Sequence, residues 1–243
     1  MYSFTIRIAN NDIEIETIHI RPQAICQKFI VSEHSDLKIQ ITQEDINRDR
    51  ADYEKAIGFC EKWDGYLEVF TLLHEVSNLL IDHGAFLLHG AAIAVNDEAL
   101  IFTGNSGIGK TTHIRKWLES ISNTFVINGD KPFIYMGNMK KPMACGSPWA
   151  GKENMYTNTM IPLKAIILLE RSEDNFIQRI SFSEAFPVLY QQIYRPENNI
   201  KMRKTLAMLC QLSPLVSFWR FQCNNFKDDC LKTVYDAIIG GSI

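Results

Sequence analysis

The chain has 243 residues, enough for one large domain or for a catalytic domain of about 150 residues with a smaller companion. Apolar residues make up 46% and the formal net charge is -3, so there is no general basic surface for nucleic acid, and any anionic ligand must be held by local geometry. The six cysteines, at 26, 60, 145, 210, 223 and 230, contain no CxxC pair, which argues against both a zinc site and a disulfide framework.

The first residues, MYSFTIRIANND, alternate like a strand and have no basic segment followed by an apolar one. The expected location is therefore a reducing cytoplasm. The most apolar segments, FLLHGAAIAV and AIILLE, are far shorter than the roughly 20 residues that span a bilayer, and no membrane partner is expected. Alternation from Phe4 to Ile8 and from Ile13 to Ile20, broken at Asn10-Asn11-Asp12, predicts an opening hairpin. Leu37, Ile39 and Ile41 continue the strand pattern, and Thr42 with Asp45 offers a helix cap before a charged stretch that is either helical or irregular. Leu67, Phe70, Leu73, Val76, Leu79 and Leu80 follow helical spacing, with Gly84 as a stop.

Residues 86–95 and 99–103 read as two strands joined at Asn96-Asp97, followed by a glycine-rich loop and a helix in TTHIRKWLESI. Strands are expected again at 125–128, 165–170 and 216–221, and helices over 183–193, 199–211 and 227–239. The predicted fold class is α/β: a small, mostly β N-terminal region over 1–75, and over 76–243 a nucleotide-binding domain in which strands alternate with helices.

Residues Gly104, Asn105, Ser106, Gly107, Ile108, Gly109, Lys110 and Thr111 satisfy G-x-x-x-x-G-K-[ST] at every position, with a strand before and a helix after. Glycines let the backbone turn successive N–H groups inward at phosphate oxygens, and the following helix, through Thr112, adds its positive end. Lys110 is expected on the β- and γ-phosphates and the Thr111 hydroxyl on Mg²⁺, so ATP and Mg²⁺ are the expected cofactors. Asp130, closing FVINGD, is the candidate second metal ligand; an Asx-turn ahead of Pro132 is the alternative. His89 interrupts an apolar strand, and on pattern alone it is equally a satisfied core histidine or a proton relay. The loop GSPWAGKEN, with Trp149, Lys152 and Glu153, is either a ligand-facing segment or an ordinary surface loop with a buried tryptophan. Arg171, Arg195 and Arg203 are candidate phosphate partners.

LLHGAAI, FTGNSGIGKTT and VINGDKPF, in that order and spacing, resemble the catalytic domain of HPr kinase/phosphorylase and its relatives in the phosphoenolpyruvate carboxykinase-like P-loop group. That likeness covers about residues 86 to 135; the remainder, including GSPWAGKENMYTN and SFSEAFPVLYQQIYRPEN, is similar to a bacterial subfamily of HPr-kinase-like proteins. The resemblance implies an HPr-kinase-like core and an ATP-dependent kinase that moves a phosphoryl group to a hydroxyl of a protein serine or a small molecule. It also implies His89, Lys110 and Asp130 as catalytic residues. In HPr kinases an acidic pair closes the strand after the loop, its first member implicated as the base; here that position is Gly129. A nucleotide-binding regulatory or carrier module without transfer, accessory to a peptide-modifying system, is the alternative. The expected partners are a nucleotide and a phosphoacceptor, with self-association into a homo-oligomer left open.

Overall fold

The computed structural model describes residues 1–59, 61–137, 140–224 and 229–240, and the chain divides into two compact units, Met1–His83 and Gly84–Ile243. The division falls beyond the 75/76 boundary suggested by the sequence. The apolar face of the helix across that boundary packs within the first unit, so the helix cannot be split between them.

In the first unit, β1 (Tyr2–Ile8) and β2 (Asn11–Thr17) form an antiparallel hairpin. Its turn is at Ala9-Asn10, both at positive φ, one step earlier than the asparagine-rich stretch suggested. After α1 (Arg21–Ile25), β3 (Ile30–Val31) and β4 (Lys38–Gln40) complete a sheet in the order β3-β1-β2-β4. The Thr42–Asp45 cap does start a helix, α2 (Gln43–Ile57): the Asp45 N–H donates to Thr42 Oγ1 and the Thr42 N–H returns to Asp45 Oδ2. Helix α3 (Asp64–Asp82) follows, its buried Glu68 accepting from the Ile18 and His19 amides. This unit holds more helix than strand, unlike the mostly β region expected over 1–75, because the charged stretch is capped and α3 has an apolar face to bury against α1 and α2.

The second unit begins with β5 (Ala85–Leu87), β6 (Gly90–Val95), β7 (Glu98–Thr103) and α4 (Lys110–Ser120). The single strand expected over 86–95 is broken at Leu88-His89, where the Leu88 N–H donates to Pro132 O and the His89 N–H to Gln192 O instead of continuing one ladder. Then come β8 (Thr124–Asn128), β9 (Phe133–Tyr135), β10 (Met143–Cys145) and the long β11 (Met160–Arg171). The chain continues through β12 (Phe176–Ile180), α5 (Phe182–Gln192), α6 (Asn199–Gln211), β13 (Ser217–Cys223) and α7 (Cys230–Ile238). The expected helix over 227–239 begins in part outside the described residues.

Strand directions determine where the loops gather. β7 runs parallel to β11, and β11 parallel to β13; β6 is antiparallel to both β7 and β8. The ends of β7, β8, β11 and β13 and the start of β6 therefore lie along one edge. Beneath it, Phe102, Ile114, Trp117, Ile167, Phe221 and Val234 form a core that clamps α4 and α7 against the sheet. His113, at the end of the glycine-rich segment, belongs to this core: its Nε2 accepts from the Trp117 indole N–H at 3.1 Å, and Cys230 Sγ lies 3.5 Å from its Nδ1. None of the described cysteines forms a disulfide, and no described helix is long and apolar enough to cross a membrane.

Candidate functional site

The loop between β7 and α4 has a backbone that side chains would resist. Gly104 has φ +144°, and a Cβ there would stand 2.9 Å from Leu169 O of β11. Gly109, the residue before α4, has φ +104° and turns the chain into the helix, whose first amides are left unpaired by helical geometry. Lys110 folds back inside the loop, where its Nζ donates to Gly104 O at 3.0 Å and Asn105 O at 3.4 Å. Burial lowers its pKa and a carboxylate at Asp130 partly opposes the shift. A buried ammonium beside the first turn of a helix suits a polyanion.

A cleft of about 550 Å³ opens beside this loop, lined by Ser106, Gly107, Gly109, Lys110, Thr111 and Thr112 on one side and by His89, Gly129, Asp130 and Ala150 to Glu153 on the other. The topology brings these segments together from across the sequence. Gly104 and Asn105 do not line the cleft and act through their carbonyls on Lys110, while Ile108 faces away to a second cleft.

His89 and Asp130 are in contact. His89 Nε2 is 3.2 Å from Asp130 Oδ1, and Lys131 Nζ pairs with Asp130 Oδ2. Despite burial, which acts in the opposite direction, the hydrogen bond from His89 and the charge of Lys131 hold the Asp130 carboxyl down at about 2. His89 Nδ1 lies 2.8 Å from Gln192 Oε1 at the last residue of α5, and the His89 carbonyl accepts from Thr103 Oγ1 at 2.7 Å. Both ring nitrogens thus face acceptor oxygens, Gln192 Oε1 and Asp130 Oδ1; the single N–H of a neutral ring serves one of them, and the imidazolium serves both.

The turn that aims Asp130 is built by its neighbour. Asn128 is fully buried; its Oδ1 accepts from the Asp130 amide at 2.8 Å and the Lys131 amide at 2.6 Å, while its Nδ2 donates to Ser147 O and Oγ, each at 2.9 Å. The Asx-turn considered for Asp130 is therefore made by Asn128, leaving the Asp130 side chain to face the cleft. Gln192 and Asn128 carried no sequence signal; each acts through a partner that only folding brings near.

At Gly129 a Cβ would meet Ala150 O at 3.2 Å and Met155 O at 3.4 Å, and the Gly129 N–H donates to Met155 O at 2.9 Å. The loop of residues 146–155 thus presses on Gly129, and it carries Lys152 and Glu153 to the cleft. Glu153 is bridged to Arg115 on α4, and the Trp149 side chain of the same loop is buried. Of the three candidate arginines, Arg171 reaches the glycine-rich loop, its Nη2 donating to Gly107 O at 2.6 Å; Arg195 and Arg203 line neither cleft. Among the described residues, no cluster of three histidine, cysteine or carboxylate groups could hold a metal by itself, so a cation here needs ligands from elsewhere, such as a bound phosphate.

No family model and no curated protein matches the chain. Among solved structures it is similar to the Hpr(Ser) kinase/phosphatase from Coxiella burnetii, with a TM-score of 0.38 and 10% sequence identity, covering 63% of this chain and 96% of that one.

Proposed function

We propose that this protein is a nucleotide-dependent phosphotransferase that moves a terminal phosphoryl group to a hydroxyl of a protein serine or a small molecule. The convergence of the loop lysine and the His89–Asp130 pair on one cleft supports this reading. In it, the loop amides and Lys110 bind the polyphosphate, and the Thr111 hydroxyl and Asp130 carboxylate hold Mg²⁺. Mg²⁺ held there would supply charge neutralisation at the phosphates. The P–O bond to the leaving diphosphate breaks as the bond to the acceptor oxygen forms, and the acceptor's proton passes to a cleft side chain and on to water. Asp130, held at about 2, is a better metal ligand than base. A weak base is tolerable where the transition state is loose and catalysis is mainly positioning and charge stabilisation. His89, fixed by Gln192, keeps Asp130 ionised and aimed, and Lys152 and Glu153 border the acceptor's approach.

The test is transfer of label from γ-labelled ATP into cell extract, amino acids and peptides, with Lys110→Ala as control. Transfer by the wild type that the variant lacks is the expected result; equal turnover by both rules the reading out. Gly129 keeps a second reading in play, a nucleotide-binding regulatory or carrier module. Calorimetric binding of MgATP with no product from any acceptor favours that one.

A further inference from the structure

The loop of residues 104–109 is a wall between two clefts. The second, of about 510 Å³, lies against the ends of β11 and β13; it is lined by Ile108, Arg171, Ser172, Glu173, Cys223 and Asn224, and it shares Gly107, Gly109 and Thr112 with the first. Its volume is within the roughly 300–1,000 Å³ usual for small-molecule sites.

Transfer in the first cleft requires the terminal phosphate to stand beside His89 and Asp130. A polyphosphate is a linear chain, so its other end leaves the loop on the opposite side. The three shared residues make that side the second cleft. We propose that the second cleft holds the nucleoside of the phosphoryl donor, an inference that rests on the reading of the loop as a polyphosphate cradle.

The lining fits that occupant. Arg171 stands at the seam, fixed by its hydrogen bond to Gly107 O, where a planar guanidinium can meet an inner phosphate or stack on a base. Ile108 and Cys223 supply apolar contact. Glu173 and Ser172 offer a carboxylate and a hydroxyl for the ribose hydroxyls, and Asn224 is held in place, its N–H donating to Asn175 Oδ1 at 2.7 Å and its Nδ2 to Glu173 O at 3.1 Å. The nucleoside then enters from the β11 and β13 side, the acceptor enters past residues 146–155, and only the phosphoryl group crosses between them.

The experiment is photo-crosslinking of the wild-type protein with 8-azido-ATP, followed by peptide mapping, alongside calorimetric titration with ATP and with inorganic tripolyphosphate. Label within 171–173 or 223–224, suppressed by ATP, is expected, with ATP binding about tenfold or more tighter than tripolyphosphate. Ser172→Trp, which narrows the cleft, should weaken ATP by about tenfold and leave tripolyphosphate unchanged; should the variant lose both ligands, the wild-type label decides. Label at 150–153, or ATP no tighter than tripolyphosphate, overturns the nucleoside assignment while the cradle stands. Binding of neither ligand overturns the cradle itself.

Discussion

His89 Nε2 and Asp130 Oδ1 are 3.2 Å apart, although 41 positions separate the two residues in the chain. The contact holds a carboxylate in its charged form at the mouth of the cleft. Asp130 has its pKa lowered from 3.8 to about 2, so its contribution to stability is present above pH 4 and is lost as pH falls through about 2. Urea denaturation between pH 2 and pH 7 should show about 2 kcal/mol of acid-dependent stability in the wild type that Asp130→Asn lacks. Parallel pH profiles for the two proteins would show that the pair is not linked to folding.

Lys110 gives a prediction of the opposite sign. Burial lowers its pKa, so holding the charged form at neutral pH opposes folding. Lys110→Met removes that cost together with two hydrogen bonds to carbonyls, and its melting temperature should equal or exceed that of the wild type. The same variant should bind no ATP. A large fall in melting temperature would make the lysine a structural residue.

The strand–loop–helix motif was legible because its residues are contiguous and each spacing has a mechanical meaning. The Asn96-Asp97 turn was legible for the same reason: two residues with positive φ between apolar strands leave little choice. The break at Leu88-His89 was not, since FLLHGAAIAV is apolar throughout and the groups that pull it apart, Pro132 and Gln192, are distant in sequence. Asn128 looked like an ordinary strand end because its two amide acceptances depend on the turn that it creates. Of the two long helices of the first unit, α3 was legible from its apolar spacing, whereas α2 showed only a cap with no apolar face to follow it.

Asn128→Ala should be among the most damaging changes near the cleft. It strips two backbone amides of their acceptor and leaves Ser147 without its donor. A loss of about 2–4 kcal/mol in chemical denaturation is expected, together with weaker Mg²⁺-dependent nucleotide binding as Asp130 loses its aim. A loss under about 0.5 kcal/mol would show that the turn holds without it.

Gln192→Leu tests positioning without touching the cleft lining. Removing the partner of His89 Nδ1 should lower turnover by about tenfold or more and alter its pH profile, while nucleotide affinity stays constant. Gln192→Glu, which retains an acceptor, should restore part of the rate. Equal rates in all three proteins would make the contact incidental.

Placing an acid at position 129 should bring no activity as a single change. A Cβ there comes within 3.4 Å of two carbonyl oxygens, which would also repel a carboxylate, so Gly129→Asp should cost about 1–3 kcal/mol in stability and raise no activity. A gain in phosphoryl transfer would show that the loop yields easily.

That crowding ties two stretches of sequence into one unit of inheritance. A glycine at 129 leaves room for the loop of residues 146–155 to close down, and the closed loop in turn crowds any side chain at 129. Relatives that carry an acid at this position should therefore carry a longer or differently anchored loop, the two changing together.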